Sequence, residues 1–330
     1  MAERAKGLVI ADRQLAPVAN KPLVLYGLDA MRAAGIREVG IVADEHVGEA
    51  IRALVGEKLG AGVRIRYLPR RPEADPAECL AAAAPFLGDS PCVAQFRDGL
   101  VRGDLRPLVD DLVGDDLDAL LLLDGSGEAL TNLDDHRLLR LAGDVASGPL
   151  AGIHVLGPRL VREAANGGCL DELVDRLLTA GGRARTGPFE GTWKQVGHTE
   201  ELLEANRLVL DDLHAGPWRG ELIDSRIEGR VSIGPGAVLE STVVRGPCVI
   251  GSRARLRHAY VGPYTSIGDE VEIEGAEIEH SIVLPGAVIK HLGGRLEASV
   301  VGRGAKLFRD FALPRAMRVQ LADGDEIALS

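Results

Sequence analysis

The sequence predicts two domains of different class, an α/β layer over residues 1–215 and a parallel β-helix over residues 216–330. Three observations predict this division. Up to about residue 213, short apolar runs alternate with amphipathic stretches, the pattern of strands and helices in a mostly parallel sheet. The alternation stops near Gly216-Pro217. From Ile227 onward, small aliphatics recur about every six residues with Gly and Pro between them, the mark of a coiled solenoid.

Taken in order, Gly7 to Ala11 form a short buried strand, and a helix opens near Pro22, since proline suits a helix's first turn. Val39–Ala43 is a second buried strand. His46–Leu59 is an amphipathic helix that turns Val47, Ile51, Leu54 and Val55 inward. Val63–Leu68 alternates as a strand, Pro76–Leu87 is an alanine-rich helix, and Cys92–Phe96 is a strand ending at Arg97-Asp98-Gly99. Leu105–Val113 reads as helix, Ala119–Leu123 and Leu150–Leu156 as strands, and Ala184–Phe189 as the last strand. A helix then runs from Glu200 to about Leu213. In the second domain Ile227, Val244, Val261 and Ile278 are spaced by 17, as are Ile233, Ile250 and Ile267, and Leu239, Leu256 and Ile273. That period fits a three-sided coil of six, six and five residues per face. The tail Leu313–Leu329 reads as the cap that covers a solenoid's end.

Composition narrows the function. The chain has 330 residues, 46% apolar and 26% charged, enough to bury a core in each domain. A net charge of -11 argues against nonspecific nucleic-acid binding, and 3% aromatics argue against a base-stacking platform. One pocket can still be basic on an acidic protein, so an anionic small molecule remains an eligible ligand. Cys79, Cys92, Cys169 and Cys248 are widely spaced and read as reduced thiols, neither zinc ligands nor disulfides. No signal peptide or membrane span is legible, so the expected location is cytoplasmic, with no membrane partner.

The segment Gln14-Leu15-Ala16-Pro17-Val18-Ala19-Asn20-Lys21-Pro22 closely resembles the PKQLVPVANKP string of bacterial glucose-1-phosphate thymidylyltransferases, the dTDP-glucose pyrophosphorylases. Trp193-Lys194-Gln195-Val196-Gly197 and the following Leu202-Leu203-Glu204-Ala205-Asn206-Arg207 resemble that family's WxDTG and LLEANR strings. The resemblance covers nearly the whole chain. It implies a Rossmann-like nucleotidyltransferase domain followed, as in the family's long form, by a left-handed β-helix. It also implies attack of a sugar phosphate on the α-phosphorus of dTTP, with Mg2+ held by two aspartates. Self-association through the β-helix or the α/β domain is expected.

Several departures from the family pattern concern the chemistry. The family's glycine- and arginine-rich loop, of the GGxGTRLRPLT type, follows its first strand. Here Ala11 runs straight into Asp12-Arg13-Gln14, and no glycine occurs between Gly7 and Gly27. A phosphate nest of converging backbone N–H groups cannot form without such glycines. Asp98 stands at the first metal aspartate, whereas Gln195 stands at the second, and Arg13 stands at the lysine of the PKQL string. The base-reading stretch is replaced around Arg70–Cys79. The sugar-side motifs are replaced near Ala142-Gly143-Asp144 and Gly167–Glu172.

The strand-end rule for open α/β sheets puts Asp12-Arg13 and Arg97-Asp98 on one rim. Candidate catalytic residues are therefore Asp98, Arg13, Lys194, Gln195 and His198; candidate substrate contacts are Asn20, Lys21, Gly152, His154 and Glu172. Asp98 is the single candidate metal ligand. Each has a structural alternative: Asp98 as an ion-pair partner of Arg97, His154 as a core histidine, His198 as a loop residue, Trp193 and Lys194 as packing, Asp171 and Glu172 as helix-start acids, and Asn20-Lys21-Pro22 as a helix entry. Two readings follow. In the first, transfer is lost and the fold serves another small-molecule reaction or a noncatalytic subunit, with a metabolite as partner and no cofactor. In the second, an unusual loop supports a working Mg2+-dependent thymidylyltransferase that makes dTDP-glucose.

Overall fold

The run Leu8-Val9-Ile10 is apolar on both faces, and a strand of that kind belongs in the interior of a covered sheet. A computed structural model, which describes residues 5–11, 15–58, 62–71, 74–123, 150–214, 216 and 218–309, puts it there. The α/β elements are β1 (Lys6–Ile10), β2 (Pro17–Val18), β3 (Lys21–Pro22), α1 (Leu23–Ala33), β4 (Glu38–Ala43), α2 (Glu45–Lys58), β5 (Arg64–Pro69), α3 (Pro76–Leu87) and β6 (Cys92–Gln95). They continue with β7 (Gly99–Gly103), α4 (Arg106–Gly114), β8 (Ala119–Leu123), β9 (Leu150–Leu156), α5 (Pro158–Glu163), α6 (Leu170–Thr179), β10 (Ala184–Pro188), β11 (Gly191–Gln195) and α7 (Thr199–Asp211).

Seven strands form one sheet in the order β10-β8-β9-β6-β1-β4-β5. β1 pairs in parallel with β4 and β6, whereas β9 runs antiparallel to both β6 and β8. Alternation along β1 feeds two cores. Val9 packs with Val24, Leu28 and Met31 of α1 and Ile51 of α2. Leu8 and Ile10 face the other way, toward Leu80 and Leu87 of α3 and Leu173 and Leu177 of α6. Predicted element ends differ from the observed ones by one or two residues, the ordinary fraying of boundaries.

A larger difference concerns β7 and β11. The sequence reading ends a strand at Arg97-Asp98-Gly99 and passes directly to a helix, yet Gly99–Gly103 is itself a strand. It pairs antiparallel with Gly191–Gln195 in a separate two-stranded sheet. Its apolar signal is only Leu100-Val101 between glycines, too short to read alone.

Parallel strands from Glu221 to Phe308 build the second domain as a β-helix with three sheets. The 17-residue spacing becomes stacking: Ile227 pairs with Val244 and Val244 with Val261, Ile233 pairs with Ile250, and Leu239 pairs with Leu256. Val244, Ile250, Leu256, Val261, Ile267 and Ile273 are all buried in one core. Regularity breaks near the end, where Glu272 pairs with Val288 but Glu277 pairs with Arg295. The extra length lies in His291-Leu292-Gly293-Gly294, which bulges from one corner. The expected cap at Leu313–Leu329 lies outside the described residues.

The two domains are joined by buried polar contacts. Between β2 and β3, Ala19 and Asn20 both adopt left-handed backbone, φ 46° and 61°. A two-residue hairpin turn with positive φ at both centres demands this, and asparagine tolerates it well. The Ala19 N–H donates to Asn206 Oδ1 of α7 at 2.8 Å, and Asn20 Nδ2 donates to the carbonyl of Ile267 in the β-helix at 2.6 Å. Asn206, fully buried, also accepts from Ser266 Oγ (2.6 Å) and donates to the Tyr264 carbonyl (3.0 Å). Asp211, a turn further along α7, accepts from the Tyr264 hydroxyl at 3.0 Å.

Asn206→Ala strands one buried acceptor and two donors at this joint. The expected cost is about 2–4 kcal/mol in chemical denaturation, with faster hydrogen exchange at the Ala19 amide. Unchanged stability and exchange would show that the joint does not depend on this amide.

Candidate functional site

β1 and β6 are adjacent and parallel, so their carboxyl ends open on one rim, where ligands of open α/β sheets bind. Ile10, Arg70, Phe96, Arg97, Asp98, Gln195, Val196 and Gly197 line a cavity of about 330 Å3 at that rim. β11 arrives from the far side. Gln195 is in register with Gly99, and the Val196 N–H donates to the Asp98 carbonyl at 3.0 Å, which holds the two segments face to face.

The turn that presents Arg97 and Asp98 is supported from beneath by Gln95, a residue the sequence reading passed over. Its side chain is fully buried, and Nε2 donates to the carbonyls of Arg97 (3.2 Å) and Gly99 (3.3 Å). Gly27 of α1 makes room for this amide, since a Cβ at that position would overlap Gln95 Oε1. The available signal was a glutamine inside the apolar strand Cys92-Val93-Ala94-Gln95, a buried amide that must find partners.

Of the expected catalytic residues, the cavity brings together Asp98 and Gln195. Arg97 bridges to the latter, its Nη1 donating to Gln195 Oε1 at 3.3 Å. Lys194 is not a lining residue. Alternation along β11 points it away from Gln195, and it lies close enough to Glu204 of α7 to help hold that carboxyl below its ordinary pKa, behind the stronger hydrogen bond from Arg207. His198 is an exposed residue at the start of α7, its Nε2 3.4 Å from Glu201 Oε1. Glu201 in turn accepts from the Gly197 N–H at 2.6 Å, so this pair serves the helix entry. Arg13 lies outside the described residues.

None of the five expected substrate contacts lines the cavity. Asn20 is at the domain joint described above. Lys21 pairs with Asp29 at 2.6 Å and lies over the Tyr26 ring at 4.2 Å. Gly152 is a packing position: a methyl there, or at Gly99, would overlap the indole of the buried Trp193. Glu172 accepts from the Cys169 N–H at 3.1 Å at the start of α6. His154, fully enclosed in β9, accepts from the Leu122 N–H through Nδ1 at 3.1 Å. Burial, reinforced by the positive charge of Arg97, pulls its pKa down to about 3. A neutral, sealed imidazole of this kind is a structural acceptor.

The donor set does not fit Mg2+. A hard cation wants charged oxygens, and among the described lining residues one carboxylate stands beside an amide whose oxygen accepts from a guanidinium. Among the described residues, no group of three or more His, Cys, Asp and Glu side chains is arranged to hold a metal. Arg70 contributes a second guanidinium, whose Nη2 donates to the Ala74 carbonyl at 3.3 Å. Also among the described residues, no helix is long and apolar enough to cross a membrane.

Residues 10–123 match the family model described as nucleotidyl transferase. A glucose-1-phosphate thymidylyltransferase from Streptomyces griseus is 33% identical, over 96% of this chain and 94% of that protein. One from Streptomyces antibioticus is 32% identical over 96% and 93%. The low-salt glycan biosynthesis nucleotidyltransferase Agl11 of Haloferax volcanii is 30% identical over 96% and 94%. A Bacillus anthracis structure, described as a glucose-1-phosphate thymidylyltransferase in complex with a sucrose, superposes with a TM-score of 0.54 at 18% identity. It covers 64% of this chain and 98% of that one, and shows the shared fold.

His154 should make the protein acid-sensitive. Unfolded imidazole binds a proton below about pH 6.5, whereas the folded group stays neutral to about pH 3. The unfolded state therefore holds more protons across that window, and stability falls with each unit of acidification, by up to about 1.4 kcal/mol. His154→Asn keeps an acceptor near the Leu122 N–H and removes the titration. Urea midpoints measured from pH 7 to 4 should fall less steeply in the variant; equal slopes would assign the acid sensitivity elsewhere.

Proposed function

Because the chain belongs to the nucleotidyl transferase family that includes the glucose-1-phosphate thymidylyltransferases, we propose that it retains the strand-end cleft as a binding site for a small phosphorylated metabolite and has lost metal-assisted nucleotidyl transfer. The observation that carries this reading is the Arg97–Gln195 hydrogen bond opposite Asp98. In-line transfer to a sugar phosphate requires charge neutralisation at the transferring phosphorus, which the family resemblance assigns to Mg2+ between two aspartates. Gln195 brings no negative charge, and Arg97 brings a positive one to its oxygen. The chain from Ala11 to Gln14 also has no glycine with which to build the phosphate nest.

A binding role is better supported than a new acid–base reaction. Among the described residues that line the cavity, those that ionise are Asp98 and two arginines, and the nearby histidine is buried and held neutral. Arginine does not deprotonate in proteins, so Asp98 would have to serve as both acid and base. A ligand sensor or a noncatalytic partner of an active relative needs neither. The second reading, a working thymidylyltransferase, is favoured by one observation: 33% identity extends over 96% of the chain to a protein bearing that name.

Pyrophosphate release separates the two. With dTTP, glucose 1-phosphate and Mg2+, the purified chain is expected to release no more pyrophosphate than a protein-free blank. Calorimetric titration with dTTP should show no enhancement by Mg2+. Mg2+-dependent release of pyrophosphate would overturn the proposal in favour of the working enzyme.

A further inference from the structure

We propose that the outer face of the six-stranded sheet of the β-helix docks on the same face of a second copy of this chain, about a two-fold axis parallel to the strands. The face is built from Glu221–Ile223, Val238–Glu240, Arg255–Arg257, Glu272–Glu274, Val288–Lys290 and Lys306–Phe308, hydrogen-bonded in that order. The proposal does not depend on what the strand-end cleft binds.

The middle residues Leu239, Leu256, Ile273 and Ile289 are buried in the core of the β-helix. The residues flanking them therefore point outward, and the register stacks these into two rows. One row reads Glu221, Val238, Arg255, Glu272, Val288, Lys306. The other reads Ile223, Glu240, Arg257, Glu274, Lys290, Phe308. Each row is complementary to its own reverse. A two-fold axis midway between the third and fourth strands lays each row on its reversed copy. Glu221 then meets Lys306 of the second copy, Val238 meets Val288, and Arg255 meets Glu272. In the other row Ile223 meets Phe308, Glu240 meets Lys290, and Arg257 meets Glu274. Every contact joins either opposite charges or two apolar side chains. A two-fold axis along the β-helix would instead set Arg255 against Arg257 and Glu272 against Glu274, like charges at both central strands. The charge pattern thus selects one symmetry, and the contact is isologous and closed.

The single chain leaves this face incomplete. Ile223 and Phe308 are 40% and 61% exposed, at opposite ends of one row, and docking covers each with the other. Among the described residues Glu221, Arg255 and Lys306 have no ion-pair partner, and docking gives each an opposite charge. Arg257 lies 3.2 Å from Glu240 and Lys290 lies 3.8 Å from Glu272; such exposed pairs contribute little within one chain and can be shared with a second. The α/β domain does not use this face. Its hairpin and α7 hold the β-helix at Tyr264, Ser266 and Ile267, on or beside a strand of another sheet. Five strand spacings of about 4.8 Å make the face about 24 Å long. A contact of that size is at the small end of protein interfaces, so the dimer is weak and salt-sensitive.

The test is sedimentation equilibrium of the full chain across micromolar concentrations, at about 50 mM and about 1 M NaCl. A monomer–dimer equilibrium that salt weakens is expected. Glu221→Lys sets a lysine against Lys306, and Lys306→Glu sets a glutamate against Glu221. Each variant alone should associate about tenfold more weakly or worse at low salt. An equimolar mixture of the two should dimerise again, because in a mixed pair both of these contacts once more join opposite charges. Both residues are exposed, and thermal melting checks that the variants fold. Recovery on mixing is an outcome that a folding defect cannot produce. The proposal is overturned by a wild-type chain that stays monomeric, by unchanged association in the two single variants, or by a mixture that stays monomeric while the wild type dimerises.

Discussion

A single buried amide, that of Asn206, closes three polar groups from different parts of the chain: the Ala19 N–H of the hairpin after β1, and the Ser266 hydroxyl and Tyr264 carbonyl of the β-helix. A donor or acceptor left unpaired at such a site costs more than the bond itself contributes, so these segments have one arrangement that satisfies all of them. Asn20 adds a direct bond from the hairpin to Ile267. The hairpin in turn delivers α1 to the sheet, and α1 carries Gly27, against which Gln95 seats. The floor of the cleft thus depends on a joint at the edge of the β-helix.

That dependence accounts for which family-like residues this chain keeps. Ala19 and Asn20 make the turn and the joint, Lys21 pairs with Asp29, and Trp193 lies over the two glycines at 99 and 152. Each is tied into packing or buried hydrogen bonding, where a change carries a stability cost. Two positions where the chain departs from the pattern, Arg70 and Gln195, face the cavity. A substitution there is accommodated by solvent and changes chemistry more than fold. A resemblance built on residues of the first kind reports the architecture faithfully and says little about turnover.

Gln95 holds the turn that carries Arg97 by gripping the carbonyls on either side of Asp98. It had no motif to announce it, only its oddness as a polar residue in an apolar strand.

By itself the sequence determined the class of each domain, the strands that flank the rim, and the stacking of Ile227, Val244 and Val261 at 17-residue steps. These follow from periodicity, which is local and therefore readable along the chain. It also exposed the missing glycines and the glutamine at position 195. Only the tertiary structure decided that β7 exists, since its strand character comes from pairing with residues 191–195 and not from its own short apolar run. It alone decided that Asn20 faces the β-helix, that Lys194 points away from the cavity while Gln195 points into it, and that Arg70 and Arg97 share one wall. Side-chain direction and the meeting of distant segments are products of packing, and no spacing within a single stretch of chain encodes them.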